Sequence, residues 1–244
     1  MLRGLHIAAS GMLVQQARHE AIANNLANAD TTGYKADEVV FRTALDRAIW
    51  RLRDAQRGAP ASDIGALSFG AEVDEVVTDL RPAAIALTGR PLDVAIDGDG
   101  FFAVSTPQGE RYTRDGAFRQ AADGTLVTAD GMPVLGTRGI IRSADAALTI
   151  APNGDVLANG QVIDRLRVVQ LRNASKEGAN RFTGGAQPLQ QFNLQVGALE
   201  RANVSVVQAM VEMIMAMRAY EASHRAVLAQ DETLQRAVND VGKV

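Results

Sequence analysis

Residues 206–241 read VVQAMVEMIMAMRAYEASHRAVLAQDETLQRAVNDV, and the spacing inside this segment decides the fold class. Val206, Met213, Tyr220, Val227, Leu234 and Val241 fall seven residues apart, and Ala209, Ala216, Ser223 and Ala237 follow three places behind. A seven-residue repeat keeps one stripe of a helix facing a supercoiling partner, whereas a helix lying on a twisted sheet needs no such regularity. The segment is therefore expected to be one helix with a heptad seam and a row of small residues. Ser205 and Gln208 have the spacing of a capping box and predict a start at Val206. Run to about Asp240, the helix would be ~50 Å long.

The opposite end is written in the same style. No proline occurs from Leu2 to Leu26, and Leu2, Leu5, Ala9, Met12, Ala23 and Leu26 recur on one helical face. This helix runs into Asn24-Asn25-Leu26-Ala27-Asn28-Ala29-Asp30-Thr31-Thr32-Gly33-Tyr34-Lys35. Asparagine side chains satisfy the backbone groups of a fraying helix end, and Gly33 permits a positive φ. One or two such residues would end a helix, so this density predicts a surface that meets something in a defined way.

Between the ends the punctuation changes. Asp97-Gly98, Asp99-Gly100, Asp115-Gly116, Asp123-Gly124, Asp130-Gly131, Asn153-Gly154 and Asn159-Gly160 separate short apolar runs. Leu92–Ile96, Phe101–Val104, Thr125–Thr128 and Leu166–Leu171 have strand length and are bounded by turn chemistry. Phe41 to Arg57 reads as helical or irregular, and Gly58 to Gly70 as a linker. The expected class is α+β: a mainly-β central domain flanked by long N- and C-terminal helices that pair in a coiled-coil-like manner. The corresponding segments are 1–36, a helix with the Asn-rich motif; 37–70, a helical or irregular connector and linker; 71–196, the β-rich domain; and 197–244, the heptad helix.

Composition removes several classes of function. At 47% hydrophobic and 22% charged residues over 244 positions, the chain is neither disordered nor collagen-like. A net charge of −3 gives no electrostatic reason to bind nucleic acid or an anionic membrane. Gln208, Glu212 and Arg218 interrupt the most apolar stretch, so no membrane span is expected. The N-terminus lacks the apolar core and cleavage site of a secretory signal peptide. With no cysteine, disulfides and thiol chemistry are absent. Only three of the 25 basic residues, Lys35, Lys176 and Lys243, are lysines, which reads as background composition.

Candidate chemical sites fail on spacing. Asp97-Gly98-Asp99-Gly100 could open a calcium loop, but Phe101 and its apolar neighbours stand where further ligands belong, so a turn between strands is expected. Gly98 to Ala103 loosely matches a dinucleotide fingerprint, yet a strand and Pro107 follow in place of the required helix. His6, His19 and His224 form no pair at metal-ligand spacing. No nucleophile elbow, Ser-x-x-Lys pair or phosphate loop occurs. No catalytic residue, metal or cofactor is expected.

Five blocks, in order, carry a resemblance. They are Ala23–Asn28 with Thr32-Gly33-Tyr34-Lys35; Leu92–Phe102; Tyr112-Thr113-Arg114-Asp115-Gly116; Gly197-Ala198-Leu199-Glu200 with Asn203-Val204; and Arg218-Ala219-Tyr220-Glu221. Together they resemble the bacterial flagellar rod proteins of the axial rod and hook group. The resemblance implies a non-enzymatic subunit without cofactor, exported by the flagellar type III pathway without a cleaved signal and stacked into the driveshaft across the periplasm. It also implies an inner tube built from Leu5 to Asn28 and Val206 to Val241, with the β-domain outside. The implied partners are copies of itself, neighbouring rod and hook proteins and the export apparatus, with no nucleic acid and no membrane insertion.

The candidate assembly interface is Leu5, Met12, Asn24, Asn25, Leu26, Asn28, Thr32, Gly33, Tyr34, Val206, Met213, Tyr220, Val227, Leu234 and Val241. The modest length and the compact segment from Ile150 to Pro188 favour the proximal-rod over the distal-rod type. Two alternatives stay open: a freestanding β-domain that binds a peptide or glycan and dimerises through its C-terminal helix, and an extracytoplasmic enzyme.

Overall fold

The computed structural model describes residues 2–43, 47–50, 63–67, 70–143, 146–178 and 180–241. Helix α1 (Leu2–Ala27) and helix α2 (Val206–Val241) form at the two ends of the chain, and α2 begins directly after Ser205. Among the described residues everything regular between them is strand, so the class is α+β. No helix among the described residues is long and apolar enough to cross a membrane.

The chain divides into two compact units. One holds 1–26, 37–77 and 206–244; the other holds 27–36 and 78–205.

In the helical unit, the seam of α2 is its inward face. Ala209 and Ala216 are buried, and Met213, Ser223, Val227, Gln230 and Leu234 are half-buried. On α1 the buried residues are Val14 and Ile22. Two glycines mark where the helices meet. A Cβ on Gly4 would lie 3.1 Å from Gln230 Nε2, and one on Gly11 would lie 3.4 Å from Ser223 Oγ. One heptad forward on α1 thus matches one heptad back on α2, and the two helices run antiparallel along this stretch. Small residues on both sides permit that approach.

The same unit contains β1 (Asp37–Thr43), β2 (Arg47–Trp50), β3 (Asp63–Leu67) and β4 (Ala71–Thr78), with β1 paired to β4 and β2 to β3. At 37–43 and 47–50 this replaces the helical or irregular reading with strand, and the rest of 41–57 lies outside the described residues. Val39, Val40, Phe41, Thr43, Val73, Val76 and Val77 are β-branched or aromatic and fit a pleated surface, a preference that pairing with a distant segment turns into strands. The linker expected from Gly58 to Gly70 falls partly outside the described residues, and within it 63–67 is strand.

The other unit carries β5 (Ile85–Leu87), β6 (Val94–Asp97), β7 (Phe101–Thr106), β8 (Gly109–Thr113), β9 (Arg119–Gln120), β10 (Leu126–Val127) and β11 (Leu148–Ile150). It continues with β12 (Asp155–Ala158), β13 (Gln161–Arg165), β14 (Val168–Lys176), β15 (Arg181–Pro188), β16 (Asn193–Val196) and β17 (Ala198–Glu200). Strands β14, β15, β8 and β7 close on themselves as an antiparallel barrel.

Two cores flank the barrel wall. Phe102 and Val168 enter a cluster with Val94, Phe118, Leu126 and Val156, while Phe101 and Val169 enter another with Tyr112 and Phe182. Because β7 is buried on both faces along Phe101–Val104, its sequence there is a continuous apolar run instead of an alternating one, whereas β14 is buried in this way only at Val168 and Val169. The Asp97–Gly100 segment is a turn between β6 and β7, with Gly98 and Gly100 at φ of 106° and 144°.

Candidate assembly interface

Helix α2 carries a second apolar stripe beside its seam. Val207, Met210, Ile214 and Met217 repeat the seam's spacing one residue further along, on a face turned by about 100°. Val207 is 75% exposed, Met210 50%, Ile214 53% and Met217 51%, and Val211 and Met215 beside them are equally open. Further along this face, Glu221, His224 and Asp231 replace the apolar residues, with only Leu228 between them. The continuous uncovered patch therefore spans the first three turns of α2, with Leu228 and Val238 exposed singly further along. On α1, Ile7 and Leu13 are also exposed.

The seven-residue spacing of the seam does not reveal this stripe, although the sequence holds its signal. From Val206 to Met217 only Gln208 and Glu212 are polar. A helix apolar nearly all round is buried by something.

Of the fifteen residues expected at an interface, Val206 and Tyr220 are exposed, Met213, Val227 and Leu234 are half-buried in the seam, and Val241's side chain lies outside the described residues. Leu5, Met12, Asn25, Leu26, Asn28 and Thr32 are half-buried and Asn24 is exposed. Gly33 and Tyr34 are buried.

The Asn-rich loop is engaged largely with the chain itself. Thr31 donates its N–H to the Asn28 carbonyl at 3.0 Å. The Thr32 hydroxyl donates to Asp115 Oδ1 at 2.6 Å, and Asn180 Nδ2 donates to the Thr32 carbonyl at 2.7 Å. Burial raises the Asp115 pKa, and the Thr32 hydroxyl opposes that shift. Gly33 adopts φ +64°, and a Cβ there would lie 2.4 Å from the Arg114 carbonyl carbon, so glycine is required twice over.

Below this loop sits a buried ionic trio. Lys35, with none of its surface exposed, donates to Glu200 Oε1 and to the Arg81 carbonyl, both at 2.7 Å. Arg114 donates to Glu200 Oε2 at 3.0 Å and to the Gly98 carbonyl at 2.6 Å. The Ala83 N–H also donates to Glu200 Oε1, at 2.8 Å. Burial lowers the Lys35 pKa, and the bond and charge of Glu200 pull it back up. Lys176 completes the arrangement, its Nζ 3.8 Å from the centre of the Tyr34 ring and donating to the Lys35 carbonyl at 2.8 Å.

Lys35 thus ties the end of the loop to Glu200 and the Arg81 carbonyl, and Lys176 holds the loop at Tyr34 and Lys35. Lysine fits both places as a compact cation with rotatable donors, where arginine's planar fork would need a wider slot.

Among the described residues no group of three or more His, Asp or Glu is placed to hold a metal ion. Neither the stripe nor the trio presents a nucleophile beside a base. The trio fastens the loop to the β unit, and the stripe is an exposed apolar face.

Comparison with known proteins agrees with the way these pieces are distributed. Residues 5–35 match the family described as flagella basal body rod protein. Residues 95–158 match the flagellar hook protein FlgE/F/G D1 domain, and 195–240 the flagellar basal body rod FlgEFG protein C-terminal region. The trio takes one residue from each match: Lys35, Arg114 and Glu200.

The chain is 34% identical to the flagellar basal-body rod protein FlgG of Bacillus subtilis, over 98% of this chain and 99% of that protein. It is 30% identical to the flagellar basal-body rod protein FlgF of Caulobacter vibrioides, over the whole of both. The flagellar hook-basal body complex protein FlhO of Bacillus subtilis is likewise 30% identical over both full lengths. With relatives matched from end to end, and the ends joined to the centre through residues of all three family segments, this chain belongs to the flagellar basal-body rod protein family.

Proposed function

We propose that the chain is a structural subunit of the flagellar basal-body rod that joins its neighbours through the exposed stripe of α2. The stripe is the observation that carries the reading: α1 approaches the seam at Ser223 and Gln230, and Val207, Met210, Ile214 and Met217 are left open to solvent. In this account the seam pairs α1 with α2 inside one subunit in a coiled-coil-like manner, and the stripe binds the next subunit. A stripe that meets a different surface on its neighbour makes a heterologous contact, which propagates instead of closing.

The energetics suit a rod. Covering the exposed half of four such side chains is worth about 1 kcal/mol each. That sum, about 4 kcal/mol, only reaches the lower end of the ~4–15 kcal/mol that association costs. One pairwise contact is then too weak to hold, and a subunit stays in place only where several neighbours contact it together. Free copies would remain apart until they reach the growing tip, as export through the flagellar type III pathway requires. Copies of itself and adjacent rod or hook proteins are the partners.

The alternative of a closed dimer through the C-terminal helix would use the same stripe, and a concentration-independent dimer in solution would favour it over the rod subunit.

Complementation tests the reading. In cells lacking this gene, the full chain should restore complete rods in purified basal bodies, and a chain ending before Val206 should restore none. Complete rods from the truncated chain would refute assembly through α2.

A further inference from the structure

Four of the chain's seven methionines fall within eight residues, as Met210, Met213, Met215 and Met217. Met213 is half-buried in the seam, while Met210, Met215 and Met217 are 50%, 52% and 51% exposed. Elsewhere among the described residues methionine is more sheltered. Met12 and Met132 are half-buried, and the Met132 sulfur accepts a hydrogen bond from Arg181 at 3.4 Å. Helix formation does not call for the cluster, since leucine serves a helix equally well. Gap filling in a core, the usual work of methionine, does not apply to side chains that stand half in water.

What sets methionine apart from leucine is the lone pair on its sulfur. That pair attacks one oxygen of hydrogen peroxide: an S–O bond forms, the O–O bond breaks, and the departing hydroxyl takes the proton of the transferred one and leaves as water. The sulfur is oxidised by two electrons and the peroxide is reduced. With no cysteine in the chain, thiols do not compete for the oxidant. The product sulfoxide is polar. On a half-exposed side chain it stays hydrated and asks nothing of the fold, whereas a neighbour docking over the stripe would have to strip that water and leave the oxygen unpaired.

We propose that Met210, Met215 and Met217 form an oxidation site that controls assembly: hydrogen peroxide converts them to sulfoxides in the free subunit, and the oxidised subunit no longer joins the rod. A subunit already built in keeps its sulfurs covered, so the control acts only before docking. A sulfoxide reductase supplied with thiol electrons restores the thioethers. The chemistry rests on exposure alone, and its consequence rests on the rod-subunit reading, which it extends to regulation.

The test uses the full chain. Hydrogen peroxide added to the purified protein should place one oxygen on each of Met210, Met215 and Met217 roughly threefold faster than on Met132 or Met213, read by peptide mass spectrometry, with helix content unchanged. In cells whose only copy is wild type, a sublethal pulse of peroxide should cut the number of newly completed rods about tenfold. A chain carrying Met210→Leu, Met215→Leu and Met217→Leu together should build rods equally with and without the pulse. Glutamine at the same three positions, polar as the sulfoxide is, should cut rods with no peroxide at all. Uniform oxidation of the methionines, equal loss of rods from wild-type and leucine chains, or normal rods from the glutamine chain overturns the proposal. So does loss of helix on oxidation, which would make these folding residues, and so does a leucine chain that builds no rods untreated, which would assign the methionines to the fit of the interface. The rod reading itself fails on a separate result, namely complete rods in cells that lack the chain, and the oxidation rates do not depend on it.

Discussion

Replacing Glu200 with alanine is expected to destabilise the β unit by about 3–5 kcal/mol, because it strips the carboxylate that two buried cations share. Lys35 and Arg114 are both essentially inaccessible, and both reach Glu200 within 3.0 Å. The substitution also removes the acceptor of the Ala83 N–H. For a unit of this size the loss corresponds to a fall in melting temperature of roughly 10 °C or more.

Charge arithmetic orders the neighbouring variants. Lys35→Met leaves Glu200 and Arg114 balanced one to one, so it should cost clearly less than Glu200→Ala. Glu200→Gln keeps the shape and still strands two cations, so it should resemble the alanine variant. Thermal melts of the three proteins decide the matter. If Lys35→Met proved the more damaging, the trio's charge balance would not be what stabilises this part of the fold.

The second large effect is expected at the stripe. Ile214→Asp should abolish rod assembly while leaving the isolated subunit as helical and as heat-stable as wild type. Ile214 is 53% exposed in the single chain, so an aspartate there stays hydrated and costs little before assembly. Docking a neighbour over it would bury an unpaired carboxylate, a cost of several kcal/mol that the weak contact cannot offset. Val227→Asp should behave differently, since Val227 is half-buried in the seam against α1 and its loss would disturb the helix pair itself. Circular dichroism and melting of each subunit, set beside rod counts in basal bodies, separate the two cases. Normal rods built from Ile214→Asp chains would remove the stripe from the interface.

Local chemistry made some of this legible in the sequence. Ser205 announced the start of α2, and Asp-Gly and Asn-Gly pairs marked out strands such as β6, β7 and β10, because caps and turns are decided by a few adjacent residues. The seam was legible for the same reason, since a repeat needs no knowledge of its partner. What stayed hidden depends on distant residues. Lys35 is buried because Glu200, 165 positions away, waits for it. Strand β1 forms because β4 pairs with it, and the stripe is open because α1 covers only one face of α2. The Asn-rich block reads as a surface that meets something in a defined way, and what Asn25 and Thr32 meet includes Asp37 and Asp115 of the same chain.

A single cysteine offers the most direct test of the central claim, since the chain has none of its own. An Ile214→Cys subunit should react readily with a maleimide when free and be protected once built into a rod, where a neighbouring subunit covers it. Equal labelling in free subunits and in purified, intact basal bodies would contradict the account.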